Sequence, residues 1–319
     1  MKILFIIPYH PSPSAFIFSK RQAQDVAKSG LCCEIFYLNT KFSFINYVKE
    51  LRRLRKLIHR FNPDVIHAQY GTLTAFFASI SNNKPLVVTF QGSDINDTKD
   101  IHPVRNYIGK WMSYYAARKA RKIICVSEDL LNRLKQCKEK AIVIPSGIDI
   151  NIFKPIDADQ CKRQLNLDHN KNYIFFNANN PLIKRLDLAK QVCVILSNYN
   201  VELLSLTGNI APNEIPLYIN ASAFVLLCSD SEGSPMVIKE ALACDVPIIS
   251  VDVGDVKARI NGVKNCFIVD QDPKALADQA ELILQNPSCR TNGRDRLLRD
   301  GIDSGSITKK LIEIYNSAV

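Results

Sequence analysis

Two carboxylates and a helix start carry the clearest chemistry in this sequence. Glu232 and Glu240 stand eight positions apart within SDSEGSPMVIKEALACDVPIISVDVG, residues 229–254. Between them, Gly233-Ser234-Pro235 reads as a loop turning into a helix. Ser234 suits the N-cap, and Pro235 suits the first helical position, because its missing N–H is one the helix leaves unpaired anyway. The N–H groups of Met236 and Val237 then point out of the helix start, where they and the helix dipole favour an anion. Glu232 falls on the loop before that start and Glu240 in the second turn after it. The dipole favours acids at any helix start, so the pair alone leaves an ordinary solvated role open.

The flanking stretches position this site. AFVLLC (223–228) and VPIISV (246–251) are short, apolar and bounded by polar or turn residues, as buried strands are. The unit is therefore strand, loop, helix, strand, with the carboxylates at the first strand's carboxyl end. Strand signals recur along the chain at KILFIIP, CEIFYL, DVIHA, PLVVTF, KIICVS, AIVIP, YIFF, VELLSL and CFIV, with helical patterns between them. Such alternation predicts parallel sheets with helices on both faces. Lys184-Arg185 falls in a loop before a helix, after the YIFF strand. His67 reads as a satisfied residue at a strand end rather than a catalyst, and Trp111, Tyr114 and Tyr115 read as core. Ser127 and Asp157 read as helix caps.

The chain has 319 residues, 47% of them hydrophobic, which favours about two domains. No apolar run approaches the ~20 residues of a membrane span, and the N-terminus enters a strand at once, which reads as a cytosolic chain. Ten cysteines show neither Cys-x-x-Cys nor zinc spacing and read as reduced core residues. The net charge of +10 points to a phosphate-bearing or polyanionic partner. No nucleic-acid module accompanies it, so nucleic acid is not expected as a partner. The helix YVKELRRLRKLIHRF sets Val48, Leu51, Leu54, Leu57 and Ile58 on one face, with Arg52, Arg53, Arg55 and Lys56 elsewhere. It suits first the outer layer of an α/β domain, a reading compatible with an anionic membrane surface.

Glu232 and Glu240, with Gly-Ser-Pro after the first and Pro247 and Val253-Gly254 downstream, resemble the donor-binding signature of retaining GT-B glycosyltransferases of family 4, also called group 1. Pro63-Asp64-Val65-Ile66-His67-Ala68, the Thr89-Phe90-Gln91-Gly92-Ser93-Asp94 turn and Ile144-Pro145-Ser146-Gly147-Ile148-Asp149 match further segments of that family, and Gly208 stands at its usual place. The resemblance spans nearly the whole chain. It implies two doubly wound, Rossmann-like α/β domains facing a central cleft. Residues 1–150 would form the acceptor-side domain and 151–305 the nucleotide-sugar donor domain, with a last helix, 306–319, packing back on the first.

What the resemblance implies for chemistry is transfer of a sugar, with retention, from a nucleotide diphosphate sugar to an acceptor hydroxyl, in cell-surface polysaccharide or glycolipid synthesis. Lys184, Arg185 and Glu232 would be catalytic, the two cations stabilising the leaving diphosphate without a metal or other cofactor. Glu240, Gly233, Ser234, Pro235, Met236, Val237 and Asn179 would hold the donor. Gln91, Asp94 and Ser14 would line the acceptor side. The partners expected are a nucleotide sugar, a sugar or lipid-linked glycan acceptor, and an anionic membrane touched peripherally at its inner face. Gln91 stands where the family usually has His, the first loop has Ser12, Ser14 and Ala15 where glycines are common, and Ala178-Asn179 replaces Gly-Arg. These departures keep open a catalytically degenerate homologue that serves as a scaffold.

Overall fold

A computed structural model of the chain describes all residues except 13–14, 42, 82, 97–101, 135, 208–209 and 287. The chain forms two compact units, one of residues 1–147 with 304–319, the other of residues 148–303. The first begins β1 (Lys2–Pro8), α1 (Ile17–Lys28), β2 (Cys32–Leu38), α2 (Phe44–Phe61), β3 (Val65–Gln69) and α3 (Leu73–Ser81). It continues β4 (Leu86–Phe90), α4 (Pro103–Lys119), β5 (Lys122–Cys125), α5 (Glu128–Arg133) and β6 (Ala141–Val143). All pairings are parallel, in the order β2-β1-β3-β4-β5-β6.

Why β1 is apolar from Ile3 to Ile7 follows from its place. Leu4 and Ile6 face one core, with residues of α2, α3, α4 and α5, while Ile3, Phe5 and Ile7 face the other, with Ala23 and Val26 of α1. A strand buried on both faces admits polar residues only where they are paired inside, as His67 and Gln69 of β3 are. The chain leaves β1 toward the α1 face and leaves β3 toward the α3 face, so the neighbours β1 and β3 bound a topological switch point, where ligands of such sheets bind.

The second unit runs α6 (Ala158–Gln164), β7 (Asn172–Asn177), α7 (Pro181–Lys184), α8 (Leu186–Ile195), β8 (Val201–Leu206), α9 (Ile215–Ala221) and β9 (Phe224–Leu227). Then come α10 (Met236–Ala243), β10 (Ile248–Ser250), α11 (Val256–Ile260), β11 (Cys266–Ile268), α12 (Pro273–Leu284) and α13 (Gly293–Arg299). Its parallel sheet has the order β11-β10-β9-β7-β8. After β7 the chain packs α8 on one face, and after β9 it packs α10 on the other. The switch point here lies between β7 and β9.

The last helix, α14 (Ser304–Ala318), belongs to the first unit, where Ile307, Leu311 and Tyr315 complete the core beside α1. Ser127 and Asp157 cap α5 and α6, accepting from the N–H groups of Leu130 and Gln160. Two expectations change. Trp111 is 53% exposed rather than core; its ring stacks on Tyr115 and leans on Phe76 of α3. Val48 lies in a surface groove with Phe44, Ile45, Lys49, Arg52, Arg53 and Lys56, because the buried stripe of α2 runs instead through Glu50, Leu54 and Ile58.

Candidate active site

In the second unit the switch point brings together residues far apart in the chain. Lys184, the last residue of the short helix after β7, pairs its ammonium with Glu232 Oε1 on the loop after β9. The Ser229 hydroxyl donates to the same oxygen at 2.9 Å. Both partners of the ion pair are mostly buried, so the attraction is screened far less than at an open surface. Arg185 follows with a left-handed backbone, φ 59°, which turns its side chain back toward Asp187 and Asp230, at 2.9 and 3.3 Å. The Asp187 carboxylate, and then Asp230, hold the Arg185 guanidinium above its ordinary range. Asn179 is exposed at the end of β7, its N–H donating to Asn177 Oδ1 at 3.1 Å.

The turn into α10 differs from the expected cap. The helix starts at Met236 with Pro235 at the N-cap, and no side chain caps it. Ser234 instead donates its hydroxyl to Asp255 Oδ2 at 2.7 Å, and Arg259 Nε donates to the same oxygen at 3.0 Å. The reason lies in Gly254, whose φ of +60° turns the chain so that Asp255 comes under the loop. A Cβ at Gly254 would sit 2.7 Å from the Gly233 carbonyl oxygen, so only glycine allows this approach. With no side-chain cap, the N–H groups of Met236 and Val237 stand at a helix start where they lack intrahelical partners. Glu240 is half-buried in the second turn, next to the fully buried Lys239. Burial pushes the Lys239 ammonium down to about 8, with Asp255 opposing the fall.

Sequence reasoning missed Lys239, Asp255 and Asp230. A lysine inside the apolar run MVIKEALA and an aspartate directly after Val253-Gly254 were the available signals. At this switch point the cations Lys184 and Arg185 are each paired with carboxylates, and the uncapped start of α10 follows on the same loop as Glu232.

The first unit gathers a different set. Asp94 is buried, and its two oxygens accept from the backbone N–H groups of Gly71, Gln91 and Gly92 at 2.9–3.2 Å. Burial raises its carboxyl and those N–H groups oppose the rise. Asp94 therefore shapes the turn after β4. Gln91 is half-buried, and its Nε2 donates to Gln69 Oε1 at 3.1 Å. Ser14 lies outside the described residues, as does Gly208. His67 is fully buried between Tyr315 Oη and Thr89 Oγ1, each at 2.7 Å. Burial pushes it down to about 3, so the ring is neutral at ordinary pH.

Comparison with known proteins follows the same division. The Glycosyltransferase Family 4 profile matches residues 18–152, and the Glycosyl transferases group 1 profile matches residues 177–286. An uncharacterized glycosyltransferase of Methanocaldococcus jannaschii is 26% identical over 267 residues, covering 78% of this chain and 74% of the relative. The UDP-Gal:alpha-D-GlcNAc-diphosphoundecaprenol alpha-1,3-galactosyltransferase of Escherichia coli is 26% identical over 267 residues, covering 72% of this chain and 66% of that one. Among solved structures, Anabaena HepE in complex with UDP and glucose matches with a TM-score of 0.76 at 18% identity, over 99% of this chain and 100% of the other.

Proposed function

This chain belongs to the group 1, family 4 glycosyltransferases, and we propose that it moves a sugar, with retention, from a nucleotide diphosphate sugar to an acceptor hydroxyl in cell-surface glycan synthesis. The observation that carries the reading is the Lys184–Glu232 pair at the β7/β9 switch point, beside the start of α10. As the bond from the anomeric carbon to the diphosphate breaks, negative charge grows on the leaving oxygen. In this reading Lys184, Arg185 and the Met236 and Val237 N–H groups stabilise it. The acceptor oxygen bonds to the same face of the sugar, and its proton passes to the departing phosphate. Positive charge for this step comes from the chain itself, without a metal. Glu240 binds the donor ribose. HepE, of similar fold, was captured with UDP, which supports a nucleotide of this kind.

The acceptor in this reading is a lipid-linked glycan, reached from the inner face of a membrane. Phe44 and Ile45 are 82% and 80% exposed at the start of α2, beside Lys49, Arg52 and Lys56. On α4, Val104, Tyr107 and Trp111 are exposed as well. The two helices are joined through α3, by Tyr47 on Phe77 and Phe76 on Trp111. Apolar tips among unpaired cations fit an anionic bilayer. No described helix is long and apolar enough to cross one. The E. coli relative is named for a diphosphoundecaprenol-linked acceptor, which supports the same class. A scaffold role without catalysis is the second reading, favoured by Gln91 in place of His.

A thermal-shift screen of nucleotide sugars tests the donor. A ligand at ~100 times its Kd adds ~2.7 kcal/mol of stability. A chain whose melting no nucleotide sugar changes would end the transferase reading, and a chain that binds donors without turning them over would favour the scaffold.

A further inference from the structure

A serine just before a helix ordinarily turns its hydroxyl back to the N–H groups that the first turn leaves open. Ser234 stands at that place before α10 and does otherwise. Its hydroxyl donates to Asp255 Oδ2 at 2.7 Å, and no side chain caps the helix. Several contacts hold this diversion in place. Asp255 is buried, and its Oδ2 also accepts from Arg259 Nε at 3.0 Å, so the acceptor is fixed from a second side. Asp300, 3.7 Å from Arg259, steadies that cation in turn. Gly254 lets the backbone that carries Asp255 pass close to the Gly233 carbonyl, where a Cβ would not fit. The arrangement serves Asp255 itself poorly. Its Oδ1 is buried and has no hydrogen-bond partner among the described residues. A buried carboxylate oxygen without a donor is costly, so a turn that needed only stability would do better with a neutral residue. The carboxylate acts on the Lys239 ammonium, fully buried on α10, which offsets part of that cost.

We propose that Asp255 is a positioning residue of the donor site: it draws the Ser234 hydroxyl off the start of α10 and so keeps the Met236 and Val237 N–H groups open to the diphosphate anion. The role rests on the donor reading and adds to it a residue that acts only through another. Released from Asp255, the Ser234 hydroxyl reaches the N–H groups two and three residues on, those of Met236 and Val237, and accepts from them. An anion must then displace it. A purely structural Asp255 and one that keeps the helix uncapped therefore differ in sign. Where Asp255 only supports the turn, removing Ser234 as well adds to the damage; where it holds the serine away, removing Ser234 repairs it.

Hydrogen exchange and ligand titration on the full chain test the role. In the wild-type chain the Met236 and Val237 amides are expected to exchange freely. In Asp255→Ala they slow by about fivefold, the worth of one helix cap, and in the double variant Ser234→Ala with Asp255→Ala they recover. Inorganic pyrophosphate, UDP, ADP and GDP are titrated by calorimetry on the same chains. Asp255→Ala weakens pyrophosphate and the nucleotide that binds by about fivefold, because each must displace the cap, and the added Ser234→Ala restores most of the loss. Asp255→Asn keeps an oxygen for the Ser234 hydroxyl and holds the ligand within about twofold of the wild type. Should Asp255→Ala not fold, Asp255→Leu, similar in shape and without an acceptor, takes its place. Amides already protected in the wild type, amides that do not slow when Asp255 is replaced, or a double variant that binds no better than the Asp255 variant alone would overturn the proposal. The donor reading fails separately: pyrophosphate binding that follows this pattern, with none of the three nucleotides bound, sinks the nucleotide and leaves the role of Asp255 standing.

Discussion

The two units solve the same topological problem with opposite electrostatics. Each has a parallel sheet whose chain reverses direction between two neighbouring strands, β1 and β3 in one and β7 and β9 in the other. At the second switch point the side chains are charged: Lys184 with Glu232, Arg185 with Asp187 and Asp230, Arg259 with Asp255. At the first they are mostly amides, Gln22, Gln69 and Gln91 backed by Ser19, Thr89 and His67, with one carboxylate, Asp94, holding the backbone beside Gln91. The difference teaches that the fold supplies the crevice and the strand-end residues choose the ligand. Ion-paired cations line the second switch point, where the proposed diphosphate would leave, and hydrogen-bonded amides line the first.

Among the described residues each unit also buries one basic group, and pH separates them. His67 in the first unit is held down to about 3, against 6.5 when unfolded, and Lys239 in the second to about 8, against 10.5. Both folded values are depressed, so the unfolded chain binds the extra proton and stability rises with pH across each window. The expected loss on acidification from 6.5 toward 3 is roughly 4–5 kcal/mol through His67, and from 10.5 to 8 it is roughly 3 kcal/mol through Lys239. Denaturant unfolding at stepped pH should show the alkaline slope vanish in Lys239→Met and the acid slope shrink in His67→Asn. Slopes untouched by these substitutions would mean that the buried bases do not set the contrast.

Lys184→Ala should lower kcat by about 10²–10³, as removal of one donor to a developing oxyanion does, with a smaller change in donor KM. Steady-state turnover with an excess of nucleotide sugar checks it. Normal turnover would remove Lys184 from the charged site.

The two glutamates sharpen the picture within that site. Glu240→Ala should raise donor KM by about 10- to 100-fold, since a charged hydrogen bond contributes ~1.5–3 kcal/mol, and should weaken free nucleotide diphosphate equally. Glu232→Gln should leave free nucleotide binding close to wild type while lowering kcat, because Glu232 holds Lys184. Calorimetry with donor and nucleotide side by side separates the two. Unaltered nucleotide affinity in Glu240→Ala would refute the ribose contact.

The smallest effect per residue belongs to the surface of the first unit. Reversing Lys49, Arg52 and Lys56 to Glu should reduce sedimentation with phosphatidylglycerol vesicles by about 1 kcal/mol per charge and leave nucleotide binding intact. Phe44→Ser with Ile45→Ser should reduce it further at high salt, where only apolar contact persists. Vesicle binding indifferent to both sets would exclude α2 as the membrane face.

The sequence by itself made most strands legible, because strands buried on both faces are near-continuous apolar runs, as ILFII, LVV and FVLL are. It also determined the Glu232–Glu240 spacing, since residues on one helix start are neighbours by chain alone. The tertiary structure decided who meets whom. Lys184 and Glu232 are 48 residues apart, Gln69 and Gln91 are 22, and His67 and Tyr315 are 248. Periodicity says which face a residue takes but not which strand lies beside its own, and that order comes from packing the whole sheet. Ser234 shows the same limit in one side chain. Its local setting predicts a helix cap, yet its hydroxyl goes to Asp255, because the turn at Gly254 brings a buried carboxylate within 2.7 Å. A buried charge needs a donor more than a helix end does, since the exposed N–H groups of that end can turn to water or a ligand.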